Sequence, residues 1–345
     1  MIYFRSDYSL GAHPEVLEAL IKTNEEHTDG YALDVHSERA EEMVKKLIGR
    51  EDVSVYMMVG GTPCNATFIT AALRPYEGVI APRSAHIYFH ETGAIESRGH
   101  RIITVNGING KLTPEMIDGA FDEYEDEHTV LPKMVSISQP TEIGSIYSKA
   151  ELYDIKEKCE ERDLYLYIDG ARMASALTSD DADFTIEDIA KIADGFYIGG
   201  TKNGALLGEA LVISNPKIND HFRWMIKQNL GMLAKGRIIG VQFEALLEGG
   251  EDSLLYRIGR HENRMAKMLE NGLKELGIEF YSQSSTNQIF PVLPTAVVEK
   301  LEEDFFFYRW APERDGMTPI RLVTSWGTVE SDITSILARL KEILI

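Results

Sequence analysis

Short, continuous apolar runs alternate with helical patterns over residues 53 to 214 of this 345-residue chain. Such runs are typical of parallel strands that helices cover on both faces. The alternation therefore favours a doubly wound α/β domain. The runs that we interpret as strands are VSVYMMV (53–59), MVSIS (134–138), LYLYI (164–168), GFYIG (195–199) and ALVIS (210–214).

Helical patterns precede and separate these strands. Ser148 with Glu151, and Thr185 with Asp188, have the spacing of a capping box, in which two side chains satisfy the first backbone groups of a helix. The predicted helices cover residues 14–26, 37–48, about 149–162 and about 186–193.

The pattern changes after about residue 235. A helical stretch over 237–276 is interrupted near Gly249-Gly250, and two strands, a helix, two strands and a last helix follow. This order predicts a second, smaller α/β domain. We place the boundary near residue 240, with a large domain over 1–240 and a small domain over 241–345.

The charge balance disfavours two classes of partner. Against 55 Asp and Glu there are 35 Lys and Arg, and the resulting net charge of −20 disfavours nucleic acid or an anionic membrane as the main partner. We find neither a signal-peptide run at the N terminus nor about 18 consecutive apolar residues. The two distant cysteines, Cys64 and Cys159, favour a reduced setting, and we expect a cytoplasmic protein.

Gly60-Gly61-Thr62 lies between a predicted strand and a predicted helix. Glycine lets the backbone approach a ligand closely, and free N–H groups at a helix N terminus attract an anion. The segment is therefore either a phosphate cradle or a tight strand-to-helix turn. It lacks the Gly-Lys-Ser/Thr of a P-loop and the full spacing of a dinucleotide fingerprint.

Two charged residues follow later strands. Asp169 ends the run LYLYI, at the strand end where open α/β sheets bind ligands, although Asp also commonly caps a helix; Arg172 follows three residues later. Lys202 lies beside Thr201 in GGTKNG, between two predicted strands. A lysine in such a turn is either a partly desolvated nucleophile or an exposed loop residue.

His86 and His90 occur in HIYFHETG, and Glu91 directly follows His90. Their i, i+4 spacing would suit a metal on a regular helix. The order differs from His-Glu-x-x-His, and the aromatic and β-branched neighbours disfavour a regular helix, so we expect no metal. Together, the glycine turn, Asp169 and Lys202 describe a pyridoxal phosphate site, because that cofactor needs a phosphate cradle, a carboxylate for its ring nitrogen and a lysine.

At these residues the chain resembles the threonine aldolase family, within the aromatic amino-acid β-eliminating lyase group of fold type I pyridoxal phosphate enzymes. The resemblance runs from RSDYSLGAHPEV to RLVTS and includes GGTPCN, HIYFHETGA, ISQPTEIGSIYS, IDGAR and IGGTKNG in the family's order. Another branch of the family has a histidine near Thr141, where this chain has Gln139-Pro140-Thr141-Glu142.

The resemblance implies a role for each matched position. Lys202 would bind pyridoxal 5′-phosphate covalently, Asp169 would pair with the pyridine nitrogen, and His86 would stack on the ring and take part in proton transfer. The implied phosphate ligands are Gly61, Thr62 and Thr201. The implied substrate contacts are Ser6, Tyr31, His90, Arg172 and Arg321, with Arg172 also near the cofactor and Tyr31 contributed across a subunit interface.

The resemblance also implies a fold and a reaction. The fold is a mostly parallel seven-stranded sheet with a small C-terminal α/β domain, in a homodimer or homotetramer. The reaction is retro-aldol cleavage of L-threonine, L-allo-threonine or a related β-hydroxy-α-amino acid to glycine and an aldehyde. The alternatives are a β-eliminating lyase with the same cofactor and another amino acid, a non-catalytic ligand-binding relative and, last, a metal-dependent hydrolase using His86 and His90.

Overall fold

A seven-stranded sheet organises the computed structural model, which describes residues 1–124 and 126–344. After a first short strand, β1 (Ile2–Tyr3), the sheet consists of β2 (Ser54–Met58), β3 (Glu77–Pro82), β4 (Arg101–Val105), β5 (Leu131–Ser138), β6 (Tyr165–Asp169), β7 (Gly195–Gly199) and β8 (Glu209–Ile213). Their order across the sheet is β2-β8-β7-β6-β5-β3-β4. Strands β3 to β7 are parallel to one another, and β8 is antiparallel to β2 and β7. The predicted mostly parallel α/β fold is confirmed.

Strand β8 is the part of this sheet that the sequence reasoning assigned wrongly. The run ALVIS suggested a parallel strand, but only residues 200–208 separate β7 from β8. A parallel pair needs a crossover of about a dozen residues or more, whereas a shorter link permits an antiparallel pair. Two further strands were not predicted: β3, in which Gly78 and Pro82 flank a short apolar core, and β4, whose apolar run is interrupted by Thr104.

Helices cover both faces of the sheet. They are α1 (Pro14–Lys22), α2 (Val35–Ile48), α3 (Gly61–Ala72), α4 (His86–Phe89), α5 (Pro114–Asp122), α6 (Lys149–Glu161), α7 (Met173–Leu177), α8 (Ile186–Ile192), α9 (Phe222–Gln228) and α10 (Arg237–Leu247). Phe196 and Ile198 of β7 belong to the core beneath α2, α6 and α8, whereas Tyr197 between them packs with α3 and α9 on the other face. Both predicted capping boxes are present, at the starts of α6 and α8.

The C-terminal part forms a smaller layer of strands and helices. It contains α11 (Leu254–Glu275), β9 (Glu279–Phe280), β10 (Gln288–Ile289), β11 (Pro291–Pro294), α12 (Thr295–Leu301), β12 (Phe305–Phe306), β13 (Tyr308–Arg309), β14 (Met317–Val323) and α13 (Glu330–Leu344). Strand β14 pairs with β10, β11 and β13. Ile320 and Leu322 pack in the core that α11 and α13 cover, so Arg321 between them points to the opposite face.

The N-terminal segment is joined to this C-terminal layer. Strand β1 pairs in parallel with β12, and Phe4 packs in the same apolar core as Leu269 and Leu322. The domain division near residue 240 stays a prediction; that residue lies within α10, which packs against α1 and α2. None of the helices in the described ranges has the length and apolar character needed to cross a membrane.

Candidate active site

The hydroxyl of Tyr197 lies close to both Gly61 and Asp169. Tyr197 donates from Oη to Asp169 Oδ1 over 2.5 Å, and a β-carbon on Gly61 would lie 2.9 Å from that same hydroxyl oxygen. Gly61 is also the first residue of α3, where backbone N–H groups lack partners within the helix. Tyr197 therefore joins the start of α3 to the carboxylate at the end of β6.

The Asp169 carboxylate is buried and does not cap a helix. Helix α7 begins at Met173, and Arg172 occupies its N-cap position without a side-chain cap. Asp169 Oδ1 also accepts from the backbone N of Ala171 at 3.0 Å, and Oδ2 accepts from Asn65 Nδ2 at 3.2 Å. These donors fix the carboxylate at the strand end, which favours the ligand-binding alternative over the helix-capping one.

Glu91, and Asn65, which the sequence did not single out, connect His86 to Asp169. His86 Nδ1 lies 2.9 Å from Glu91 Oε1, and the same oxygen accepts from Asn65 Nδ2 at 2.7 Å. A carboxylate oxygen that accepts from Nδ1 places a ring proton on that nitrogen, so Nε2 is the ring nitrogen left free to exchange a proton with a ligand. Asn65 lies in the segment GGTPCN, which was the available signal for it.

Glu142 supports the backbone of His86 from the loop after β5. Its Oε1 accepts from His86 N at 3.0 Å and from Ser138 Oγ at 2.6 Å. Burial raises the pKa of Glu142. Glu142 Oε2 and Glu91 Oε2 are buried and make no hydrogen bond within the described ranges.

Lys202 lies in the turn between β7 and β8 and is partly buried. Its Nζ is 6.0 Å from the centroid of the Tyr8 ring. Burial, and next the positive charge of Arg172, lower the pKa of Lys202 although nearby carboxylates oppose the shift. A lower pKa increases the fraction of neutral amine, which is the nucleophilic form.

Thr201 uses its donors within the turn. Its Oγ1 donates to Glu209 Oε1 at 2.7 Å and accepts from the backbone N of Gly208 at 3.0 Å. Its own backbone N donates to Gly208 O at 3.1 Å. The predicted contact of the Thr201 hydroxyl with a phosphate would therefore require this hydroxyl to turn away from Glu209. Glu209 was not among the residues predicted from the sequence.

Arg172 is held by Asp7, which the sequence reasoning also missed. The Arg172 guanidinium donates from Nε to Oδ2 at 2.6 Å and from Nη2 to Oδ1 at 3.1 Å. Burial opposes ionisation of Asp7, but the charges of Arg172 and Lys202 and its hydrogen bonds outweigh burial and lower its pKa. Asp7 follows the predicted substrate contact Ser6 directly, so its position in RSDYS was the available signal.

Arg321 has no acidic partner among the residues that the structure describes. Its Nε is buried without a hydrogen bond in those ranges, and its guanidinium lies 5.2 Å and 5.0 Å from the ring centroids of Tyr308 and Trp310. Burial, and next the charge of Arg172, lower its pKa to about 10. A partly buried guanidinium beside a second cation is suited to bind an anion such as a carboxylate.

His90 lies beside His86, whereas Ser6 bonds within the N-terminal segment. The His90 ring is 5.4 Å from that of His86, and burial followed by the charges of His86, Arg321 and Lys202 lowers its pKa. Ser6 is buried, with its Oγ 2.8 Å from Ser9 Oγ.

Tyr31 lies on an exposed loop. Its carbonyl oxygen accepts from Arg223 Nη2 at 2.8 Å, and Lys227 Nζ lies 4.8 Å from its ring centroid. Tyr31 therefore contacts residues of α9 rather than Lys202. Over residues 1–124 and 126–344, no group of three or more His, Cys, Asp or Glu side chains is arranged to hold a metal ion.

These groups fit pyridoxal 5′-phosphate chemically. The N–H groups of Gly61 and Thr62 suit its phosphate, the Asp169 carboxylate suits a protonated ring nitrogen, and the Lys202 amine suits its aldehyde. The close approach of Gly61 to Tyr197 supports this fit, because only a residue without a side chain keeps the turn open beside Asp169.

Comparisons with known proteins agree with this chemistry. The family model described as beta-eliminating lyase matches residues 3–295. A low-specificity L-threonine aldolase from Pseudomonas sp. (strain NCIMB 10558) is 31% identical over 99% of this chain and 97% of its own length. The structure of Leishmania major threonine aldolase superposes with a TM-score of 0.98, is 42% identical and covers 100% of both chains. Thermus thermophilus aspartate aminotransferase, 17% identical over 99% of this chain and 91% of its own, shares the fold with a TM-score of 0.74. The chain therefore belongs to the β-eliminating lyase family and, within it, to the threonine aldolases.

Proposed function

We propose that this protein uses pyridoxal 5′-phosphate to cleave L-threonine, L-allo-threonine or a related β-hydroxy-α-amino acid into glycine and an aldehyde. The observation that carries the proposal is the guanidinium of Arg321, which has no acidic partner within residues 1–124 and 126–344 and whose charge acts on His90 together with that of Lys202. Relatives named as low-specificity L-threonine aldolases, from Pseudomonas and from Saccharomyces cerevisiae, support the choice of substrate.

The proposed cofactor contacts follow from the positions of the side chains. Lys202 would hold the cofactor through its amine, Asp169 would hold a proton on the ring nitrogen, and Gly61 and Thr62 would hold the phosphate through backbone N–H groups. When bound, pyridoxal 5′-phosphate supplies an electron sink for the electron pair released as a bond to the substrate Cα breaks.

The proposed substrate contacts use the two arginines and the two histidines. Arg321 binds the substrate carboxylate bidentately, and Arg172 adds positive charge while Asp7 fixes its orientation. His86, with its proton on Nδ1 and held by Glu91, presents Nε2 as a base for the β-hydroxyl proton. His90, whose pKa is lowered by burial and by His86, is the second imidazole in reach of this proton.

A β-elimination is the second candidate reaction, because the matching family model carries that description. The two reactions break different bonds and give different products from L-threonine. Retro-aldol cleavage releases glycine and acetaldehyde, whereas β-elimination releases a 2-oxo acid and ammonia.

Product analysis separates these candidates. The purified protein is incubated with pyridoxal 5′-phosphate and, in turn, L-threonine, L-allo-threonine and L-serine, and amino acids and carbonyl products are quantified. We expect glycine and acetaldehyde in equal amounts from the first two substrates. A 2-oxo acid with ammonia would favour elimination, and bound cofactor without any product would favour the non-catalytic alternative.

We also propose a homodimer or homotetramer in which Tyr31 lies near a neighbouring subunit. Large apolar side chains are exposed in the isolated chain, including Leu33, Phe89, Trp224 and Leu230, which are 66%, 71%, 69% and 84% exposed. Light scattering after gel filtration measures the mass directly, and a mass near 38.7 kDa would contradict the proposal. We propose a cytoplasmic location as well, which the buried free thiols of Cys64 and Cys159 favour and cell fractionation can test.

A further inference from the structure

Glu209 joins the two ends of the turn that carries Lys202. It is the first residue of β8 and is buried. Its Oε2 accepts from the backbone N of Gly200 at 2.7 Å, and its Oε1 accepts from Thr201 Oγ1 at 2.7 Å. A single carboxyl group thus holds the two residues that immediately precede the lysine.

The rest of the turn is equally constrained. The backbone N of Gly200 lies 3.0 Å from Gly208 O, and the Gly208 N donates to Thr201 Oγ1 at the same distance. Asn203, after the lysine, donates from Nδ2 to Gly199 O at 2.6 Å. Hydrogen bonds therefore fix the main chain on both sides of Lys202. Among the described residues of β8, only Glu209 bonds to the turn through its side chain.

Glu209 also contributes to the charge around the lysine, together with Arg172, Asp7 and Asp169. Burial raises the pKa of Glu209 to about 7, although its hydrogen bonds and Lys202 oppose the shift. Above neutral pH the ionised carboxylate favours the ammonium form of Lys202 and partly offsets the effect of burial on that amine. The other titratable groups that sense the Glu209 charge are Cys64 of α3, Tyr167 of β6 and Tyr197 of β7, and Asp169 acts on Lys202 from β6.

We propose that Glu209 is a positioning residue for Lys202, fixing the turn through Gly200 and Thr201 and stabilising the protonated amine by its charge. The inference rests on the proposed role of Lys202. It adds a residue that fixes the main chain next to the lysine and raises the pH at which its amine becomes nucleophilic.

The electrostatic part is tested by the titration of Lys202 in the full-length protein without added cofactor. The rate of modification of Lys202 by an amine reagent is followed by mass spectrometry between pH 6 and about 11, a range that brackets the usual lysine value. Glu209→Gln keeps the size of the side chain but removes its charge. We expect the pH midpoint of Lys202 modification to be about one unit lower in Glu209→Gln than in the wild type.

The matched control is Asp188→Asn. Asp188 likewise accepts from a backbone N and a threonine hydroxyl, those of Thr185, but it lies at the start of α8. This control should leave the Lys202 midpoint unchanged. A folded Glu209→Gln protein, judged by its unfolding temperature, with a wild-type Lys202 midpoint would overturn the proposal.

Glu209→Asp tests positioning, including the case in which Glu209→Gln does not fold. The aspartate keeps the charge but is one methylene too short to reach both Gly200 and Thr201. We expect a midpoint close to that of the wild type and about tenfold weaker binding of pyridoxal 5′-phosphate, because small displacements of a reacting group are costly. Unchanged affinity would overturn the positioning claim. Since neither readout needs substrate turnover, failure here is distinguishable from failure of the proposed aldol cleavage.

Discussion

Arg172 and Asp7 form a buried ion pair in which two guanidinium nitrogens meet both carboxylate oxygens, at 2.6 and 3.1 Å. The Asp7 side chain is fully buried, and that of Arg172 is 12% exposed. Asn287, which precedes β10, also donates to Asp7 at 3.0 Å. The pair therefore links the N-terminal segment, the turn after β6 and the C-terminal layer, and it fixes the orientation of the Arg172 guanidinium.

Asp7→Asn should destabilise the protein by about 3–5 kcal/mol, because it leaves the buried Arg172 without a countercharge. Unfolding in urea measures the free energy of unfolding of both proteins. Asp52→Asn, which breaks an exposed pair with Arg50, is the control and should have a much smaller effect. Equal effects of the two substitutions would contradict the importance given to the buried pair.

His36 gives the protein a pH-dependent contribution to stability. Its Nδ1 and Nε2 each lie 2.8 Å from a carboxylate, of Glu244 and Glu26 respectively. Burial disfavours the charged imidazole, but the hydrogen bonds and charges of the two carboxylates outweigh burial and raise the pKa of His36. This stabilisation is fully present below the ordinary value of 6.5 and is lost as the pH rises through the raised value.

The loss of stability in His36→Gln should therefore be larger at pH 6 than at pH 9. Urea unfolding of wild type and variant at both pH values measures this difference. His221→Gln, at a side chain that is 75% exposed, is the control. A loss that is the same at both pH values would show that the charged form of His36 contributes nothing.

Gly61→Ala should damage the cofactor site through Tyr197. The added β-carbon would lie 2.9 Å from the hydroxyl that donates to Asp169, and the fully buried Tyr197 ring has little room to move. We expect a loss of about 1–3 kcal/mol in stability together with weaker binding of pyridoxal 5′-phosphate. Thermal unfolding and a cofactor titration measure the two effects.

Gly119→Ala is the matched control for this substitution. Gly119 lies within α5, and no atom other than its own helix backbone and chain neighbours lies within 4 Å of an added β-carbon. Alanine there should stabilise the helix by about 0.5–1 kcal/mol and leave cofactor binding unchanged. If Gly61→Ala behaves like this control, the turn does not need glycine.

Arg321→Ala should weaken binding of glycine and L-threonine by roughly 2–5 kcal/mol if the ion pair with the substrate is well desolvated. Arg321→Lys should recover little, because an ammonium lacks the two-pronged geometry of a guanidinium. Spectral titration of the cofactor-loaded protein measures these affinities. Arg309 lies on the neighbouring strand β13 and forms a surface ion pair with Glu302. The control variant Arg309→Ala should therefore bind glycine and L-threonine like the wild type. Unchanged glycine affinity in Arg321→Ala would remove Arg321 from the site.

The sequence predicted the parts of the site that depend on residue type and strand ends. Asp169 and Lys202 follow apolar strands, so their position at one edge of the sheet could be inferred from the alternating pattern. Asp7 and Asn65 could not be found in this way, because their partners Arg172 and Asp169 are distant in sequence. Glu209 was missed because its bonds to Gly200 and Thr201 depend on the antiparallel pairing of β7 with β8. The direction of β8 was also not predicted, because an apolar run is compatible with either a parallel or an antiparallel strand.

The proposed chemistry depends most directly on Lys202. The decisive measurement is the release of glycine and acetaldehyde from L-threonine by the cofactor-loaded wild type, Lys202→Ala and Lys156→Ala, the last being a lysine paired with Glu160 on α6. We predict equal amounts of the two products from wild type and from Lys156→Ala, and loss of nearly all activity in Lys202→Ala. Wild-type rates in Lys202→Ala, or no glycine from any of the three proteins, would contradict the account.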